Sequence, residues 1–193
     1  MPVHIGHAEP GFDDPLGLMI ACHRRIERFL AVLVELAIRR NGYALTDSES
    51  TAMEAALRYF RDAAPHHTAD EEHGLFPALK QAGRGAYELP GLERDHRQAE
   101  RLHVTVDALG LTWLRRGTLD ESEARELQTA LGDLSALYRE HIETEEQQVF
   151  PRAQRALSRE SLDRIGREMA FRRGVSYIPQ TVQLRVTASR VSS

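Results

Sequence analysis

His67 and Glu71 stand four residues apart, as do His141 and Glu145. On a helix that spacing puts an imidazole and a carboxylate on one face, within reach of the same cation. The two pairs also share their surroundings. His67-Thr-Ala-Asp-Glu71 leads into Leu75-Phe76-Pro77, and His141-Ile-Glu-Thr-Glu145 leads into Val149-Phe150-Pro151. Each pair has a lone histidine upstream: His23 precedes His67 by 44 residues, and His96 precedes His141 by 45. The halves are therefore offset by 73 residues at one histidine and by 74 at the other. An acid recurs four residues after every one of these histidines, at Glu27, Glu71, Glu100 and Glu145. One such pair would mean little. Four inward histidines in two matching contexts point to a duplicated helical hairpin closing around one site, since bundle-core metal sites use side chains from facing helices.

The elements that must hold these residues read as helices. From about Pro15, the positions Met19/Ile20, Ile26, Leu30, Leu33/Val34 and Ala37 keep a helical period, with His23 and Glu27 in the same stripe. Asn41-Gly42 supplies the left-handed chemistry that ends a helix. Thr46-Asp-Ser-Glu49 is a capping box opening a second helix, whose stripe runs Met53, Leu57, Phe60, Ala64, His67, Glu71 and Leu75. Pro65 should kink it just before the His pair. Gly83, Gly85, Pro90 and Gly91 mark a loop. A third helix carries Leu92, His96, Ala99/Glu100, His103, Val106 and Trp113 and stops at Gly117. Asp120-Glu-Ser-Glu123 opens a fourth, with Leu127, Leu131, Leu134, Tyr138, His141, Glu145 and Val149 inward. No segment alternates apolar and polar residues as a strand would. The expected layout is an irregular lead-in over 1–14, a four-helix bundle over 15–157, and a short fifth helix with a loose tail over 158–193.

Bulk properties agree with a single soluble domain. The chain has 193 residues, 41% of them apolar and 28% charged, with a net charge of −4, which gives no reason to expect a nucleic-acid or membrane partner. The longest apolar run, Phe29 to Val34, is far too short to span a bilayer and is followed by Glu35. The N-terminus lacks the basic-then-apolar layout of an export signal, so the expectation is a cytoplasmic protein. Cys22 is the single cysteine, which excludes an intramolecular disulfide and a cysteine-based zinc site; it reads as a packed thiol.

Imidazole and carboxylate ligands without thiolate suit iron, zinc, copper or manganese. Four histidines and two glutamates are too many for one tetrahedral zinc. They fit two metals, each taking two histidines, with Glu71 and Glu145 bridging. Two iron ions joined by an oxo or hydroxo bridge would each have about five ligands and an open position. A ferritin-like site needs Glu-x-x-His on two helices. The third helix offers Glu93-x-x-His96 and Glu100-x-x-His103, but Tyr138 stands three residues before His141, so that arrangement fails on the fourth.

These residues resemble the hemerythrin-like, or HHE cation-binding, family of di-iron four-helix bundles. The match lies in His23, in His67 with Glu71-Glu72 and Leu-Phe-Pro, in His96, and in His141 with Glu145-Glu146 and Val-Phe-Pro. It covers about residues 15–157, and Met169-Ala-Phe-Arg-Arg-Gly174 looks like a tail of some bacterial members. The resemblance implies an all-α, up-down-up-down left-handed bundle, with His23, His67, Glu71, His96, His141 and Glu145 as iron ligands. It also implies a role among oxygen carriage and sensing, nitric oxide or iron–sulfur repair responses, and peroxide decomposition. The sequence departs from the oxygen carriers on the third helix, where those proteins place two histidines four residues apart. Here Glu100 follows His96 by four and His103 follows by seven. Either Glu100 is a further ligand, His103 swings in, or the site has four histidines and is more open than a reversible carrier wants.

Glu27 and Glu100 read as acids that orient an imidazole N–H. Tyr138, one turn before His141, fills core space or bonds a bound oxygen species. Phe76 and Phe150 read as apolar plugs at the bundle end, His66 and His73 as surface residues. The expected function is a non-heme di-iron protein that binds or senses O₂, nitric oxide or peroxide. The alternatives are a di-iron peroxidase or catalase-like enzyme and an iron-handling or regulatory module.

Overall fold

The computed structural model describes residues 10–83 and 88–178. Helix α1 spans Pro15–Arg40. A second rod is assembled from α2 (Asp47–Asp62), α3 (Ala64–Asp70), a π turn (Glu71–Leu75) and α4 (Phe76–Gln81). Helix α5 spans Leu89–Arg116. The fourth rod joins α6 (Glu121–Thr144), a second π turn (Glu145–Val149) and α7 (Phe150–Ala156), and α8 (Arg159–Arg172) follows. Helices α1 and α5 each pack against both α2 and α6, so the rods close a ring in chain order. No strand occurs among the described residues.

The ends form where the sequence signals stand. Asp14 caps α1 by accepting from the Gly17 N–H at 3.0 Å. Asn41 ends α1 in the left-handed region at φ 45°, which its short polar side chain tolerates. Thr46 with Glu49, and Asp120 with Glu123, form reciprocal capping boxes. Two expectations shift. Pro90 and Gly91 belong to the first turn of α5 rather than to the loop, because proline needs no N–H partner there. Near Pro65 the second rod breaks outright at Ala63 and restarts with the proline in the first turn of α3.

The π turns were not anticipated, and their cause is in the sequence. Phe76 donates its N–H to Glu71 O, and Phe150 donates to Glu145 O, five residues back in each case. Pro77 and Pro151 come next; a proline has no N–H to donate and its ring crowds the carbonyl four residues before it. Widening the preceding turn relieves that crowding. It also re-aims the plug. In an unbroken α-helix Phe76 would sit roughly 140° around from Glu71, whereas the wider turn swings it back towards the ligand face.

Two apolar clusters fill the interior. One runs through Ile26, Leu30, Leu33, Met53, Leu57, Phe60, Val106, Trp113, Leu127, Leu131 and Leu134. The other joins Leu16, Met19, Leu75, Phe76, Leu79, Leu89, Leu92, Val149, Phe150, Ile165 and Met169. The last two belong to α8, the expected short fifth helix, which is therefore part of the core. At Gly166 a Cβ would lie 1.9 Å from the Phe12 carbonyl oxygen, so only glycine lets the lead-in cross α8 there. Residues 1–9 and 179–193, the outer parts of the expected lead-in and tail, lie outside the described residues.

Candidate metal centre

His23 (α1), His67 (α3), His96 (α5) and His141 (α6) converge with Glu71 and Glu145, which open the two π turns. Their ligand atoms form two overlapping groups: His23, His67, Glu71 and Glu145, then Glu71, His96, His141 and Glu145. Within each group the atoms lie within 4.8 Å of one another. Both carboxylates belong to both groups. His67 Nε2 is 3.2 Å from Glu71 Oε1, and His96 Nε2 is 3.2 Å from Glu71 Oε2. His23 Nε2 and His141 Nε2 lie 3.1 Å and 3.4 Å from Glu145 Oε2.

The outer nitrogens are braced across the repeat. His23 Nδ1 meets Glu146 Oε1 at 2.8 Å, and His96 Nδ1 meets Glu72 Oε1 at 2.8 Å. Arg24 holds Glu146 in turn, donating from Nη2 to Oε1 at 2.6 Å. Phe150 stacks on the His23 ring, centroids 5.5 Å apart, and Phe76 stacks on His96 at 6.2 Å. Each half therefore supplies the acid and the aromatic plate for the other half's lone histidine. Such outer partners fix imidazole orientation and raise ligand basicity.

The electrostatics are those of a site built for a cation. Burial, then the neighbouring charge of Glu145, pushes the Glu71 carboxyl well above its ordinary range. Burial opposes charge on Glu145 too, but the close approach of the His141 and His23 imidazoles outweighs it and holds that carboxyl low. His67 is driven well below the usual imidazole range by burial and then by His23. His141 is raised: burial works against its charged form, but the bond to Glu145 and that residue's charge prevail. Neither oxygen of Glu71 or Glu145, nor His23 Nε2, finds a hydrogen-bond partner among the described residues. Leaving such buried groups unpaired costs about 1–3 kcal/mol each, more if charged. A cation between them removes that cost, so the donor set fits the metal that its chemistry suggests.

The family model for the hemerythrin HHE cation-binding domain matches residues 14–153. The chain belongs to that family. An uncharacterized protein of Haemophilus influenzae is 30% identical over 169 residues, spanning 85% of this chain and 92% of its own length.

Within this hemerythrin-type bundle, the three further candidates stand apart from both groups. Glu27 is exposed and accepts from Arg24 Nη1 at 2.6 Å, so it does not orient His23; Glu146 takes that place. Glu100 is exposed on α5. His103 is half-buried with Nε2 2.8 Å from the Tyr138 hydroxyl, and its ring lies 4.5 Å from that of Phe60. The two candidate groups contain four histidines and two glutamates. Phe76 and Phe150 lie in the second apolar cluster and also stack on the imidazoles of His96 and His23. His73 is exposed and His66 half-buried. Cys22 is a buried thiol that burial pushes up, as expected of a packed residue.

The bracing acids Glu72 and Glu146 escaped a reading that followed one helix face. Their signal was the doubled Glu-Glu in both motifs, one glutamate facing the core and the next reaching to a neighbouring helix. Asp70 also escaped it. Fully buried beside Glu71, it is held by Arg172 Nη1 at 3.0 Å and Arg173 Nη2 at 2.7 Å, at the end of α8.

Proposed function

We propose that this hemerythrin-family protein holds two iron ions and uses them to bind or sense O₂, nitric oxide or peroxide in the cytoplasm. The observation that carries the reading is the sharing of Glu71 and Glu145, all four oxygens without hydrogen-bond partners, between two histidine pairs. His23 and His67 would hold one ion, His96 and His141 the other, with the two carboxylates common to both. Iron so held would supply a one-electron redox couple and could take up a small ligand.

The chain's own residues do the rest. Glu146 and Glu72 fix the rings of His23 and His96, while Phe150 and Phe76 cover those rings and keep water off them. No helix among the described residues is long and apolar enough to cross a membrane. A second reading, turnover of peroxide, is favoured by one observation: a cavity reaches from the surface to His67, His96 and His141.

Anaerobic titration with Fe²⁺ should saturate at two irons per chain, and admission of air should then bring up near-ultraviolet charge-transfer bands. Saturation at one iron, or no spectral change in air, would overturn the di-iron reading. Oxygen evolution from hydrogen peroxide by the loaded protein would move the assignment to the enzyme.

A further inference from the structure

The cavity beside the metal centre is larger than a diatomic gas or hydrogen peroxide requires. Its volume is about 550 Å³. A water molecule takes about 30 Å³ of liquid volume, and a dry cavity of about 150 Å³ holds benzene. Organic ligands fill pockets of about 300–1,000 Å³ with mostly apolar walls and a few convergent polar groups. This cavity has that composition. Ile26, Leu57, Phe60, Ala99, Val106 and Ile142 supply apolar surface. His67, His96 and His141 also line it, and exposed Arg61, Arg97 and Glu100 show that it reaches solvent.

Also on its wall is the polar pair that the metal centre does not use, Tyr138 and His103, 2.8 Å apart. Whichever of the two donates, the phenolic oxygen keeps a lone pair for an incoming O–H. The pair has no counterpart in the other half of the repeat. With the same offsets, Leu30 stands in place of His103 and Ala64 in place of Tyr138. It is a polar fixture confined to one half of the repeat, placed where the cavity passes.

We infer that the cavity binds a small neutral organic molecule of about one ring, with a hydroxyl or hydroperoxyl head hydrogen-bonded to Tyr138. This deepens the reading of the site as an iron centre for oxygen species, and rests on it only for what lies beyond the head group. The body fills the space between Phe60, Leu57 and Val106, and the head is directed towards the half of the centre formed by His96 and His141.

The test is fluorine NMR of 4-fluorobenzyl alcohol and 4-fluorotoluene, on the chain as purified and after chelation. Both probes should bind the wild type. Tyr138→Phe should weaken the alcohol about fivefold, the contribution of one neutral hydrogen bond, and change the toluene less than twofold. Ala99→Phe, which fills the cavity, should abolish both, with circular dichroism verifying its fold. Cumyl alcohol and cumene hydroperoxide as competitors then show which head is preferred, displacement by either supporting the site. Failure of both probes on wild-type chain that takes up two irons overturns the pocket and leaves the iron reading intact. Binding to chelated protein that takes up no iron does the reverse. Equal loss of alcohol and toluene in Tyr138→Phe removes the head-group assignment, and unchanged binding in Ala99→Phe removes the site.

Discussion

His67 and His141 hold equivalent positions in the two halves of the repeat, yet their outer nitrogens meet different surroundings. His141 Nδ1 has Asp95 Oδ2 within 3.5 Å. His67 Nδ1 has no such acid beside it, because the residue equivalent to Asp95 is Cys22; both nitrogens are buried without a hydrogen-bond partner among the described residues. The first half has its own device instead. Asp70, next to Glu71, is clasped by two arginines at the end of α8; the equivalent of Asp70 is Thr144, which bonds its own helix at Glu140 O, 2.8 Å away. What the halves share (two His–Glu pairs, crossed acids, crossed aromatic plates) builds the cluster that could hold metal. What they do not share is how each is supported from outside.

Shared and private parts should fail differently. Because each carboxylate serves both histidine pairs, Glu71→Ala or Glu145→Ala should drop metal content from two ions per chain to near zero. His23→Ala should cost one ion. Elemental analysis after iron loading and desalting reads both, and one ion retained in Glu71→Ala would mean that the carboxylates are not shared.

Next in size is the clasp. Asp70→Asn leaves two arginines facing an uncharged buried group and should destabilise the fold by about 2–4 kcal/mol. Thr144→Val, at the equivalent place, should stay within about 0.5 kcal/mol. Urea unfolding at matched metal loading makes the comparison, and equal losses would show that α8 is not a specific support of the first half.

The smallest expected effect concerns His103, which burial lowers from 6.5 to about 4. Between those values the unfolded imidazole carries a proton and the folded one does not, so stability falls as pH drops through the window. At about 1.4 kcal/mol per unit, reduced for the partial exposure of the ring, the loss should total about 1–3 kcal/mol. His103→Leu, which installs the first half's residue, should flatten that part of the stability profile measured by denaturant midpoint. An unchanged slope would assign it to other groups.

The legible parts were those that repetition advertised. Four histidines and two glutamates recur at fixed offsets because chelation needs each side chain at one point in space, and helix periodicity turns that requirement into spacing. Caps at Asn41, Thr46 and Asp120 were legible because they are local chemistry. The π turns were not, because a proline after a helical stretch reads equally as a kink, as at Pro65. Glu72 and Glu146 lie off the inward stripe and act on helices far away in the chain. Asp70 finds its arginines 102 and 103 residues later, on a helix with no counterpart in the repeat to draw attention to it.

The π turns also carry history. They occur at matching places in both rods, each between a shared glutamate and a Phe-Pro step. A widened turn acquired separately in one rod would have no reason to find a twin in the other. Duplication of a single helical hairpin accounts for the pair. Asp95, the arginine clasp and the Tyr138–His103 pair, each confined to one copy, mark where the two halves differ.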